Sequence, residues 1–115
     1  MFKDIFQSIH DKNREIVLIG IWGTDGLELE KINFAPFEEN MELYGAEIAE
    51  VISKLRAVTR PPDNFCLNLE LEGYNFVVFS LTDEYFFVIL ARKDFVYGRL
   101  KFYVELNRPK FLSIL

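Results

Sequence analysis

The sequence contains few of the residues that chemistry and membrane insertion usually require. Its 115 residues include one cysteine and one histidine. A single cysteine excludes an intrachain disulfide, so nothing indicates an oxidising compartment. No apolar run approaches the roughly 20 residues of a membrane-spanning helix. A signal peptide needs a continuous apolar segment, which Asp4, His10 and Asp11 interrupt near the N-terminus. These absences predict a cytoplasmic protein without membrane insertion.

An excess of positive charge is also missing. The formal net charge is -5, whereas a general nucleic-acid binder presents a basic face to the phosphates. The charge is unevenly distributed, because six Lys/Arg stand against two Asp/Glu from Arg92 to the end. We therefore predict no nucleic-acid partner. The basic C-terminal end either steers an acidic partner or balances helix ends.

Apolar residues, in contrast, are abundant. They make up 50% of the chain, and 16% of all residues are aromatic. Such a composition is typical of a globular protein, and this length is sufficient for one hydrophobic core. We predict a single domain spanning 1–115.

The longest helical pattern lies at 40–60. Its apolar residues share one side of a helix, with Gly45 and Ala49 at the margin. These residues are Met41, Tyr44, Ile48, Val51, Ile52, Leu55 and Val58. The apolar arc covers about half of the circumference, more than the roughly 100° that a helix needs to pack on one sheet. The excess predicts that a second molecule covers part of this helix.

Two shorter helices and five strands complete the predicted elements. Helical spacing is present at 2–12 and 95–106, and strand patterns are present at 15–22, 27–33, 67–72, 75–81 and 85–91. Pro109 is expected to interrupt the last helix, and the apolar tail 111–115 is expected to dock on the domain. The order α-ββ-α-βββ-α predicts an α+β fold, with helices packed on the faces of a five-stranded antiparallel sheet.

Three local patterns in this order resemble a Roadblock/dynein light chain domain. They are the apolar strand ending at Trp22 with Asp25-Gly26-Leu27 after it, the helix GAEIAEVISKL, and YFFVILA running into Gly98-Arg99-Leu100. The resemblance covers nearly the whole chain and implies a Roadblock/profilin-like architecture. Bacterial and archaeal members of this non-catalytic family partner Ras-like small GTPases.

The resemblance also implies a homodimer in which the third strands pair edge to edge and the long helices lie side by side. No proline in 67–72 prevents such pairing. The implied dimer interface consists of Gly45, Ala49, Leu67, Asn68, Leu69, Glu70 and Leu71. The implied GTPase-binding surface consists of Glu42, Leu43, Ala46, Glu47, Glu50 and Lys54.

No pattern predicts a catalytic residue, a cofactor site or a metal site. Gly20-x-x-Gly23-x-x-Gly26 superficially resembles a phosphate-binding loop. A strand follows it instead of the required helix, so strand packing and a turn explain these glycines better. His10 is expected to be a solvated residue at a helix end, and Cys66 a small buried hydrophobe.

Charged groups leave some alternatives open. Glu28 with Glu30, and Glu70 with Glu72, are predicted to share a strand face, where paired carboxylates bind a cation or share a proton. A solvated strand face produces the same pattern. The cluster of Arg92, Lys93, Arg99 and Lys101 consists either of helix-flanking charges or of contacts to an acidic partner.

Two other functions are compatible with the sequence. One is a ligand-sensing α/β domain whose aromatic sheet surface lines a pocket for a small apolar molecule. The other is a purely structural dimer within a larger assembly.

Overall fold

A computed structural model describes residues 2–37, 41–59 and 65–115, with all side chains except those of residues 41, 42 and 59. Its elements are α1 (Phe2–Lys12), β1 (Ile16–Gly23), β2 (Glu28–Asn33), α2 (Met41–Thr59), β3 (Cys66–Glu70), β4 (Tyr74–Ser80), β5 (Tyr85–Arg92) and α3 (Tyr97–Ile114). The predicted order of helices and strands is confirmed.

The strands form one antiparallel sheet in the order β2-β1-β5-β4-β3. The three inner strands are the ones with nearly continuous apolar sequences, and they are buried along almost their whole length. β2 and β3 are the edges and are largely exposed. The sheet is therefore covered on both faces at its centre and open at its sides.

The α1 and α3 helices together cover one face of the sheet. Phe111 of α3 is fully buried there, with its ring centroid 4.9 Å from that of Phe87 and 6.0 Å from that of Phe6. Offset aromatic packing of this kind adds to the free energy gained by burying apolar area. These rings join both helices to the central strand β5.

On the other face, α2 packs alone. The Trp22 indole is fully buried between Gly20 of its own strand and Gly45 of the helix, where a methyl group at either glycine would overlap the ring. Ile48 and Ile52, one and two turns further along α2, are buried in the same core. The two glycines let the helix approach the sheet at the position of the largest side chain.

Pro109 does not interrupt the last helix, so the prediction that it would is wrong. The α3 helix continues through Pro109 to Ile114. Proline removes one backbone donor and strains the preceding turn. Burial of Phe111 beyond it, and of Asn107 before it, opposes this penalty. The expected docking of the apolar tail is confirmed for Phe111, which lies in the core, and for Ile114, which packs against it, whereas Leu112 and Leu115 stay exposed.

The prediction that Glu28 and Glu30 share a face is also wrong. The register shifts between Ile21 and Trp22, so that Glu30 lies opposite Ile21 and Glu28 opposite Trp22. Directly opposed residues project from the same face, and Ile21 and Trp22 belong to different cores. A β-bulge, which the alternating pattern does not reveal, therefore separates the two carboxylates.

Candidate protein interface

The outward side of α2 is a continuous exposed surface. Leu43 has 63% of its surface exposed, and Ala46, Glu47 and Glu50 are exposed beside it. Lys54 is also exposed, with its Nζ 3.0 Å from an Oε1 of Glu50. The side chain of Glu42 is outside the described residues. The other five residues predicted to bind a partner thus lie on one exposed side of one helix.

Contacts near both ends hold this helix in place. Gly26 has a φ of +89° in the β1–β2 turn, and a Cβ built on it would be 3.5 Å from the Cα of Ala46. At the far end, Arg56 donates to the carbonyl of Asp83 at 2.9 Å and lies over the Phe65 ring. Because turns at two places fix the helix, its outward side is presented in a defined orientation.

An apolar groove separates α2 from the edge strand β3. It has a volume of about 130 Å³. Its lining residues are Tyr44, Glu47, Ile48, Val51, Leu69, Leu71 and Phe76. On its two sides Val51 is 41% exposed and Leu69 38% exposed. A groove this small is below the roughly 300 Å³ typical of sites for drug-sized ligands.

The β3 strand borders this groove and pairs with β4 in an unbroken register from Cys66 to Glu70. Leu67 and Leu69 lie opposite Val78 and Phe76 of the core under α2, so they share its face. The other edge of β3 has no strand neighbour within the described residues. Its outer backbone groups are therefore available to another strand.

Gly45 and Ala49 do not lie on this open side, which corrects the role predicted for them. Gly45 is buried against Trp22, and Ala49 is only 4% exposed in the same core. Their small side chains bring α2 close to its own sheet, so we omit them from the proposed interface. Val51 and Val58, which is 82% exposed, lie nearer the edge. The unusual width of the apolar arc was the sequence signal that could have identified Val51 and Val58 as interface residues.

The predicted basic cluster is partly neutralised within the chain. Arg99 donates from Nη2 to both carboxylate oxygens of Glu15, each at 2.7 Å. This hydrogen bond lowers the pKa of the Glu15 carboxyl against the opposing effect of burial. The Nε atom of Arg92 lies 3.8 Å from Oδ1 of Asp94. Lys93 and Lys101 are exposed, so only part of the cluster is presented to solvent without a close acidic partner.

His10 is more enclosed than the sequence indicated. Its ring stacks on that of Phe34 with a centroid distance of 3.9 Å and an interplanar angle of 1°. The Nδ1 atom is buried without a hydrogen-bond partner among the described residues. Desolvation, followed by the positive charge of Arg14, lowers the pKa of the imidazole. Within this geometry His10 is a packing residue at the end of α1.

Cys66 is half-buried, and the Tyr97 hydroxyl donates a hydrogen bond to its Sγ at 3.3 Å. Burial raises the pKa of the thiol. The same hydrogen bond is the main reason why the pKa of Tyr97 rises to about 12. A thiol with a raised pKa contains little of the nucleophilic thiolate at neutral pH. The pair therefore joins β3 to the start of α3 without forming a reactive centre.

The phenylalanines of β4 and β5 fill the cores, and Phe76 also lines the small groove beside α2. Phe76, Phe79, Phe86 and Phe87 are each at most 1% exposed. Among the described residues, no three or more metal-ligating side chains form a group. Within the same ranges, no helix combines the length and apolar character needed to cross a membrane.

The architecture is shared with several solved structures. MglC from Myxococcus xanthus is 17% identical, with a TM-score of 0.70 over 99% of this chain and 98% of its own. The gliding protein MglB from Thermus thermophilus is 10% identical, with a TM-score of 0.82 over 97% and 86%. A Roadblock/LC7 domain from Streptomyces avermitilis is 15% identical, with a TM-score of 0.70 over 96% and 97%.

These structural similarities extend over nearly the whole length of each chain. No protein-family model and no curated protein matches the sequence itself. The chain therefore has the Roadblock fold, as the local sequence patterns predicted.

Proposed function

We propose that this chain, which has the Roadblock fold, is a non-catalytic cytoplasmic protein that dimerises through β3 and regulates or scaffolds a Ras-like small GTPase. The supporting observation is that α2 and β3 together present exposed apolar surface along one side of the chain, next to an open strand edge. Val51, Val58 and Leu69 all contribute to it. Exposed apolar groups arranged in this way mark protein interfaces.

The proposed dimer pairs β3 with β3 of a second copy. The sheets then become continuous, and Val51 and Leu69 of each copy are covered by the other. Edge pairing satisfies the backbone groups, and burial of the groove supplies the apolar contribution. A stable dimer of this kind is expected to bury about 1,200–2,000 Å² in total.

The proposed GTPase surface is the outward side of α2, which stays accessible in that dimer. Leu43 provides an apolar centre, and Glu47 and Glu50 provide acidic flanks. Such an arrangement suits a partner that presents basic side chains around an apolar contact. Any effect on GTP hydrolysis then requires different affinities for the nucleotide states of the GTPase.

The dimer is tested with two separate variants, each of which introduces one lysine on one edge strand of the sheet. Leu69→Lys on β3 and Leu29→Lys on β2 change side chains of similar exposure, 38% and 43%. We expect light scattering to show a dimer for the wild type and for Leu29→Lys. Leu69→Lys is expected to be monomeric, because a buried lysine without a partner opposes pairing. A wild-type monomer, or a dimeric Leu69→Lys variant, contradicts β3 pairing.

GTPase binding is tested with a Ras-like GTPase from the same cell, loaded with GDP or with a non-hydrolysable GTP analogue. We expect binding that depends on the nucleotide and becomes about tenfold weaker in Glu50→Lys, equivalent to about 1.4 kcal/mol; Glu50 is exposed and does not line the groove that the proposed dimer covers. Asp4→Lys introduces the same charge change on α1 and should leave affinity unaltered. Equal binding in both nucleotide states favours a structural role, and no binding overturns the proposal.

A further inference from the structure

The charges of the chain are unevenly divided between the α1 and α3 helices and the remainder. Residues 2–14 and 92–115, which include these two helices, contain nine Lys/Arg and four Asp/Glu, a net charge of +5. Residues 15–91 contain four Lys/Arg and fourteen Asp/Glu, a net charge of -10. Because α1 and α3 pack on the same face of the sheet, the α1/α3 face is basic although the protein as a whole is acidic.

Both carboxylates of the segment 92–115 are paired within the chain. The Nε atom of Arg108 lies 2.8 Å from an oxygen of Glu105, and the Nε atom of Arg92 lies 3.8 Å from an oxygen of Asp94. In contrast, four exposed lysines of α1 and of 92–115 have no carboxylate at ion-pair distance among the described residues. These are Lys12, Lys93, Lys101 and Lys110. Their ammonium groups are therefore available to an anionic partner.

Two large apolar side chains project between the lysines of α3. Phe102 is 59% exposed and Leu106 is 60% exposed, and both lie on the side of the helix opposite to the buried Val104. At about 100° per residue, Lys101 and Lys110 fall on either side of them. Apolar groups flanked by lysines are typical of surfaces that bind anionic bilayers, because the apolar groups enter the headgroup layer while the ammonium groups meet the phosphates.

A planar anionic partner fits this distribution better than a single acidic peptide does. From Lys12 on α1 to Lys110 on α3, the exposed charges are spread over two helices and are not gathered around one groove. The acidic residues of α2 lie on the other side of the sheet. Even the shortest extent of the chain, 24 Å, is about three Debye lengths at physiological ionic strength. Their repulsion of an anionic surface is therefore largely screened.

The β3 dimer proposed above would place two such faces side by side. Antiparallel pairing of identical edge strands has its two-fold axis perpendicular to the joined sheet, so both copies present the α1/α3 face in the same direction. A bilayer contacts both faces at once, which strengthens a weak single contact. This doubling rests on the proposed dimer, whereas the contact made by each chain does not.

From these features we infer that the α1/α3 face binds the surface of a membrane rich in anionic phospholipid. Phe102 and Leu106 lie at the level of the headgroups, and the four lysines contact lipid phosphates. The contact is peripheral, because α3 lies along the bilayer and keeps its buried side on the sheet. The proposed GTPase surface on α2 then faces away from the membrane.

Co-sedimentation with phospholipid vesicles tests the contact. We expect the wild type to bind vesicles made of equal parts of phosphatidylglycerol and phosphatidylcholine, and to lose most of this binding on pure phosphatidylcholine or at high salt. Phe102→Ser and Lys110→Glu should each bind about tenfold more weakly. Leu27→Ser, at a 69% exposed position in the β1–β2 turn, and Lys31→Glu, on the α2 face of the sheet, are matched controls that should bind as the wild type does.

A fluorophore tests which side of the chain touches the bilayer, in a Cys66→Ser background. A polarity-sensitive dye on Ser113→Cys, an exposed position on the outer side of α3, should shift to shorter wavelength with the anionic vesicles. The same dye on Leu27→Cys should not shift. Leu69→Lys, monomeric under the proposed pairing, should bind the vesicles more weakly and still depend on Phe102.

Failure of β3 pairing or of GTPase binding, with vesicle binding intact, contradicts the proposed function alone. The membrane inference is overturned by equal binding to neutral and anionic vesicles, or by unchanged binding in Phe102→Ser and Lys110→Glu. Absence of binding to the anionic vesicles also overturns it and favours an acidic protein as the occupant of this face.

Discussion

Two helices cover one face of the sheet, whereas α2 covers the other by itself. On the α1/α3 face, rings from both helices meet over β5, and Phe111 is fully buried. On the α2 face, burial stops at the β3 side of the helix, where Val51 and Leu69 remain partly exposed. One helix is too narrow to cover five strands. The uncovered strip on its face is therefore the part of the sheet that is available to another molecule.

The largest expected effect on stability comes from removing a buried ring on the face that α1 and α3 cover. Phe111→Ala removes a buried ring that contacts Phe6 and Phe87, and it should lower the free energy of unfolding by about 3–5 kcal/mol at any protein concentration. Val51→Ala should change monomer stability by less than about 0.5 kcal/mol and act mainly on association. Urea unfolding at two protein concentrations distinguishes these effects. Equal monomer destabilisation by both changes contradicts the contrast between the faces.

A smaller effect is expected where α2 approaches the sheet most closely. In Gly45→Ala the new Cβ would overlap the Trp22 indole and lie 2.6 Å from its Cδ1, so the helix or the ring must move. We expect a loss of about 1–3 kcal/mol in the free energy of unfolding. A shift in the fluorescence of Trp22, the only tryptophan in the chain, should accompany it. Ala46→Ser, on the exposed side, is the control, and an unchanged Gly45→Ala variant would show that this packing is looser than described.

The smallest expected effect concerns the end of α1, where His10 stacks on Phe34. Because the pKa of His10 is lower in the folded protein, the unfolded chain binds more protons as the pH falls below about 6.5. The contribution of His10 to the free energy of unfolding is therefore fully present above that pH and is lost as the pH falls through the folded pKa. His10→Phe keeps a ring for stacking and should make the unfolding free energy nearly independent of pH between about 8 and 5.5. An equal pH dependence in this variant would contradict the assignment of the effect to His10.

Much of the fold could be predicted because apolar periodicity reports directly on which sides of an element are buried. The runs that became β1, β4 and β5 were recognisable as inner strands, and the alternation in 67–71 correctly indicated a strand with one solvated face. The bulge that separates Glu28 from Glu30 was not predictable in this way. It depends on how β1 and β2 pair, and a one-residue shift reverses the face of every following side chain.

The interface was only partly predictable. The width of the apolar arc on α2 indicated that something beyond one sheet covers this helix. The row from Leu43 to Lys54, which the Roadblock resemblance implied as a partner surface, is exposed. Gly45 and Ala49 were assigned to the wrong contact, because a small residue permits close approach without specifying to what. Only the position of Trp22 beneath Gly45 identified that neighbour.

The sequence by itself determined the order of elements, the amphipathic sides of the helices and the uneven distribution of charge, since each follows from local spacing and residue type. Tertiary structure decided which glycine lies against Trp22, on which face each glutamate of β2 projects, and that α3 continues through Pro109. These outcomes depend on contacts between distant segments, where burial of a ring such as Phe111 outweighs the local preference of the backbone.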